Sequence, residues 1–159
     1  MNRLPLCACF ILLIVQAARG AGFECSLEAS DGKTTQSAKP GSKDNSPMGK
    51  RVVLEASAAS AVTVKWKVVR AAKDQAKDVL VHFYVVKLTR AGQAPPPLDP
   101  KQVTVESALT MDFPAKETAS GSQPFQVDGA GIYLIRIEAG ADPDKPGMED
   151  FAEIELVAK

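Results

Sequence analysis

Residues 127–140 read VDGAGIYLIRIEAG, and the run after the two glycines decides the fold. A glycine loop that cradles phosphate leaves a strand and opens a helix, so that backbone N–H groups and the helix dipole meet the anion. Here Gly129-Ala130-Gly131 runs into IYLIRIEA, where Tyr133, Ile135 and Ile137 alternate with Leu134 and Arg136. A period of two belongs to a strand, not a helix. The third glycine of G-x-G-x-x-G is also missing, with Leu134 in its place. The glycines therefore serve a turn that feeds a core strand.

The same period recurs along the chain. In RVVLEAS, Val52, Leu54 and Ala56 share a face, and in AVTVKWKVV Val62, Val64, Trp66 and Val68 alternate with Thr63, Lys65 and Lys67. DVLVHFYVVKL is apolar on both faces, which predicts a central strand or one covered on its second face. VTVESALTMDF alternates over a long span, a short piece surrounds Phe125 and Val127, and DFAEIELVA closes the chain with Ile154 and Leu156 inward. No window shows the i, i+3, i+4 recurrence of a substantial helix; at most Ala71–Lys77 could add one turn. The prediction is an all-β, seven-stranded antiparallel β-sandwich over residues 51–159. The connections RAGQAPPPLDPK, PAKETASGSQP and AGADPDKPGMED carry Pro or Gly, as exposed crossings and turns do.

The N-terminus reads differently. MNRLPLCACFILLIVQAARGAG has an early cation at Arg3, a short apolar run and small residues after it, the parts of a secretory signal peptide over residues 1–20. The run falls short of the ~20 apolar residues that span a bilayer. Cleavage removes Arg3 and Arg19 and no acids, leaving 17 basic and 19 acidic residues, a net charge of −2. That balance gives no basic patch for nucleic acid or an anionic membrane. Residues 21–50, rich in Ser, Gly, Lys and Pro, predict a flexible arm. Two of the three cysteines leave with the signal, so Cys25 has no internal partner and is expected to be a spare thiol in that arm, or to pair between chains. Asn45-Ser46 is followed by Pro47, so no glycosylation sequon exists, which fits a bacterial secreted or periplasmic protein.

With these strands in order, the chain resembles an immunoglobulin-like or fibronectin type III-like sandwich. VVLEASAASAVTVKWKV is similar to that fold's B strand, turn and C strand, with Trp66 as the core tryptophan. DGAGIYLI resembles the tyrosine corner opening strand F. The resemblance implies that Tyr133 faces inward with its hydroxyl tied back to the turn. It also implies that Leu54 and Ile135 stand where such domains carry their disulfide.

Candidate chemistry is sparse. His82 is the only histidine and would have to serve any Ser-His-Asp or Cys-His arrangement, with a nucleophile and an orienting acid beside it. One His and one mature Cys make no zinc site. The loop GADPDKPGMED gathers Asp142, Asp144, Glu149 and Asp150, oxygen ligands of the kind calcium takes, but Lys145, Pro143 and Pro146 intrude. Glu106, Glu138, Glu153 and Glu155 read as solubilising charges on outward faces. Leu80, Tyr84, Val86, Ile132 and Leu134 would form an outer apolar patch, either a partner surface or one covered by the arm or the proline-rich crossing. No catalytic, cofactor-binding or metal residue is assigned. The expected function is an exported, non-enzymatic binding or scaffolding module whose partner is an extracytoplasmic protein. The alternative is a carbohydrate- or small-ligand-binding module, calcium-dependent through the acidic loop.

Overall fold

The computed structural model describes residues 22–39, 51–140 and 150–159. The predicted signal peptide and most of the acidic loop lie outside these residues. Two sheets of nine strands form a β-sandwich, with no helix among the described residues. The strands are β1 (Phe23–Ser30), β2 (Thr35–Ala38), β3 (Val52–Ala56), β4 (Ala61–Arg70), β5 (Ala76–Leu88), β6 (Val103–Phe113), β7 (Thr118–Gln126), β8 (Gly131–Gly140) and β9 (Asp150–Ala158). One sheet has the order β2-β1-β4-β7 and the other β3-β9-β8-β5-β6. Pairing is antiparallel except between β3 and β9, which run parallel.

The count is nine rather than seven because the expected arm supplies two strands. β1 pairs with β4 from Phe23↔Arg70 to Ser30↔Thr63. Its Phe23, Cys25, Leu27 and Ala29 enter the core, none more than 2% exposed. FECSLEAS alternates with period two, and the neighbouring Ser, Gly and Lys residues dilute that signal. Cys25 is accordingly no spare thiol. It is fully buried, its Sγ lies 3.6 Å from the Asp150 carbonyl oxygen, and burial together with the Asp150 charge pushes the thiol far above its ordinary range. Such a thiol is inert.

The core between the sheets is built from the inward residues of each strand: Val62, Val64 and Val68 on β4, Val79, Val81, Phe83 and Val85 on β5, Tyr133, Ile135 and Ile137 on β8, and Ile154 and Leu156 on β9. Trp66 is partly buried against it, with its indole over Gly121 on the paired strand. A methyl group at Gly121 would come within 2.5 Å of that ring, so the glycine makes the space the indole fills. Leu54 and Ile135 are both fully buried but belong to one sheet. They do not face each other across the layers, as an inter-sheet disulfide pair would.

The glycine turn behaves as the sequence predicts. Gly129 and Gly131 take φ of 78° and 154°. Tyr133 is 1% exposed, and its hydroxyl donates toward the carbonyls of Asp128 (2.6 Å) and Gly129 (3.1 Å). Positive φ at a glycine and a hydroxyl anchored on the turn backbone are one device: the turn closes tightly because Tyr133 satisfies its carbonyls.

Candidate functional site

The outward face of the five-stranded sheet divides into an apolar half and a charged half. In the apolar half, Tyr84, Val86, Leu88 and Leu134 are buried and cluster with Ile132, Val103 and Leu98. Leu98 comes from the proline-rich crossing, so that crossing covers the patch. A second tie reinforces it: the Gly92 amide donates to the Glu155 carboxylate at 2.8 Å. The centre of the apolar patch is thus part of the fold, with Leu98, Val103 and Ile132 left partly exposed at its margin.

The charged half arises from register. His82 is opposite Glu138, Tyr84 opposite Arg136, and Arg136 opposite Glu153. Side chains directly opposite on one face lie close enough to pair. The result is a row of ion pairs across the sheet. His82 sits between two acids, with Nε2 2.9 Å from Glu106 and Nδ1 3.2 Å from Glu138. Arg136 Nε donates to Glu138 at 2.6 Å, its Nη1 pairs with Glu153, and its guanidinium stacks 4.1 Å above the Phe151 ring. Arg51 Nε donates to the other Glu153 oxygen at 2.6 Å. Arg51, Arg136, Glu138, Glu153 and Glu155 are all buried. Of the four acids expected to be solubilising charges, only Glu106 is exposed; the other three point outward yet are ion-paired and shielded from water.

No local sequence pattern announces this row, because Arg51 and Arg136 are remote in the chain from the acids of β9 and only sheet register brings them together. His82 meets two acids, but no hydroxyl or thiol nucleophile accompanies it among its described hydrogen bonds. Burial of the ring opposes its protonation, while the hydrogen bonds and charges of Glu138 and Glu106 outweigh burial and hold His82 above its ordinary value of 6.5. Burial likewise works against ionised Glu138, and the His82 and Arg136 contacts more than compensate, leaving it below its usual range. A histidine whose folded pKa is raised stabilises fully below its unfolded pKa, and that contribution fades as pH rises through the folded value. The melting temperature is therefore expected to decline as pH rises from the ordinary value of 6.5 through the raised folded value, a decline absent in His82→Gln. Calorimetric melts across that window check it; equal slopes in the two proteins would disprove the coupling.

Of the acidic loop, Asp142, Asp144 and Glu149 lie outside the described residues. Asp150 is placed, and its carboxylate accepts the Cys25 amide, which gives it a structural role in joining the sheets. Burial raises its pKa.

The sheets end in four edges, and three are blunted. β2 has four residues, β3 has five, and β7 carries Gly121 and Pro124. β6 runs for eleven residues without Lys, Pro or Gly, and pairs only with β5 among the described residues. Glu106–Thr110 are all exposed, and Leu109, at 50%, is the most open large apolar side chain among the described residues. Natural sheets usually protect so long an edge with charge, proline or a covering element, and on β6 that protection is limited to Glu106, Asp112 and two register shifts against β5.

No protein-family model matches the chain, and no curated protein matches it. Among solved structures it is similar to the C-terminal domain of wzt, at 9% identity and a TM-score of 0.47, over 89% of this chain and 75% of that one. Two structures of a β-glucosidase from Listeria innocua, with gluconolactone and with isofagomine, align at 14% identity and TM-scores of 0.35 and 0.34. They cover 65% and 84% of this chain but only 14% and 16% of the enzyme. These likenesses concern the β-fold and carry nothing about ligand or activity.

Proposed function

We propose that this chain is an exported, non-enzymatic binding module with an immunoglobulin-like sandwich, which takes up a strand of an extracytoplasmic partner protein along β6. The observation that carries the reading is the long edge of β6, which no further strand among the described residues covers, with Leu109 exposed upon it. An edge strand offers a row of free backbone donors and acceptors, and a partner segment that extends the sheet satisfies them while side-chain contacts give selectivity. Topology supports the immunoglobulin-like part. With β2 and β3 set aside, β4 taken as strand B and β5 as strand C, the sheets read A-B-E and G-F-C-C′, one strand out of step with the sequence resemblance. The tied-back Tyr133 then opens strand F.

The test uses the full chain as bait in the extracellular fraction of its source. Wild type is compared with Leu109→Lys, which places on the edge the residue that natural sheets use to block pairing. A photo-crosslinker at Leu109 is expected to join one protein that a crosslinker at Gln123, on the blunted β7 edge, does not. Leu109→Lys should lose at least about ten-fold in recovery of that protein with its melting temperature unchanged, whether calcium or a chelator is present. Equal recovery by both proteins would overturn the edge assignment, and calcium-dependent recovery would favour the acidic loop.

A further inference from the structure

A second, independent feature lies at the end of the sandwich where β5 finishes and β8 begins. A cavity of about 530 Å³ is lined by Lys87, Lys101, Gln102, Thr104, Asp128 and Tyr133, among others. Its size falls within the range of small-ligand sites. The backbone brings both lysines to the cavity. Lys87 is opposite Tyr133 in the β5–β8 register, and its ammonium lies 5.4 Å from the centre of that ring. Its stem runs over Gly131, where a methyl group would come within 2.8 Å of Lys87 Cε. Lys101 sits in the turn before β6, whose amides at Lys101 and Gln102 bond to the Asp99 carboxylate and carbonyl at 2.9 and 2.8 Å. The Lys87 amide donates to the Gln102 carbonyl at 3.0 Å, which pins that turn to β5 and brings both lysines to one cavity.

Neither ammonium has an ion-pair partner among the described residues, so both are free to meet a ligand. Two cations beside one cavity, Lys87 over the Tyr133 ring and Lys101 in the adjoining turn, suit an anion. Asp128 and the polar side chains of Gln102 and Thr104 beside them suit hydroxyl groups, and the Asp128 charge discriminates against a compact, highly charged anion such as phosphate.

We propose that this cavity binds a small polyhydroxylated carboxylate, with the carboxylate between Lys87 and Lys101 and a hydroxyl donating to Asp128. The site borders the first residues of β6, where Thr104 lies, but its test reads Lys87, Lys101 and Tyr133 and the edge test reads Leu109, so either assignment can fail without the other. The probe is D-glucuronate, with glucose and inorganic phosphate as comparisons, titrated into the full chain and followed by NMR. Glucuronate is expected to give saturable shifts at Lys87, Lys101 and Tyr133, with glucose and phosphate at least about ten-fold weaker. Lys87→Met and Lys101→Met, both at exposed positions, should each weaken glucuronate by about ten-fold or more while leaving the melting temperature in place. Phosphate binding as tightly as glucuronate, affinity unchanged in the two variants, or no saturation at millimolar glucuronate would each overturn the assignment.

Discussion

A chain shortened to residues 51–159 is expected to be unfolded. β1 lies within the first sheet, between β2 and β4, so its removal strips β4 of a partner along eight residue pairs. It also takes Phe23, Cys25, Leu27 and Ala29 out of the core. Phe23 packs edge-on against Phe113 at 5.5 Å, with the Arg70 guanidinium 4.7 Å above its ring. Each large apolar side chain buried from water contributes roughly 1.5–3 kcal/mol. Several such losses, with an opened sheet, approach the whole stability of a domain, about 5–15 kcal/mol. Phe23→Ala alone should cost about 3–5 kcal/mol. Circular dichroism and denaturant melts of the two proteins check this. A cooperative transition in the shortened chain, at a midpoint near that of the full chain, would show that residues 23–38 are a dispensable arm after all.

Glu153→Ala is the second large effect. Glu153 is 1% exposed and accepts from Arg51 on one oxygen and from Arg136 on the other. Removing it leaves two guanidinium groups buried with fewer partners, and Arg51 already has its Nη1 and Nη2 without hydrogen bonds. Breaking a buried pair from one side costs about 3–5 kcal/mol, because the remaining charge keeps its desolvation penalty. For a domain of this size that amounts to a fall of about 10–20 °C in melting temperature. Glu28→Ala is the control, since its pair with Lys65 is solvent-exposed and should contribute about 0–1 kcal/mol. Comparable losses in the two variants would mean that the charged row is wetter than its geometry implies.

These two results also mark how far the sequence can be read. The turn at Gly129–Gly131, the inward Tyr133 and the strands of the second half are legible because each is a local pattern: a period of two, bounded by residues that turn the chain. β1 escapes such a reading although its alternation is present, because composition averaged over residues 21–50 hides eight ordered residues among polar ones. The β6 edge is legible as a strand but not as an edge, since which strand ends a sheet depends on partners distant in the chain.

By itself the sequence determined the class of fold and the identity of the core faces, since alternation along a strand fixes which side chains share a side. It also determined that only one histidine was available for chemistry. Tertiary structure alone decided what the outward face does. Glu138, Glu153 and Glu155 look like solvated charges in the chain, and become buried partners of Arg51 and Arg136 through the β3-β9-β8 register. The apolar positions beside them look open until Leu98 covers them. The physical reason is common to both: burial and pairing of a side chain are set by its neighbours in space, and in a sheet those neighbours come from strands that the sequence keeps far apart.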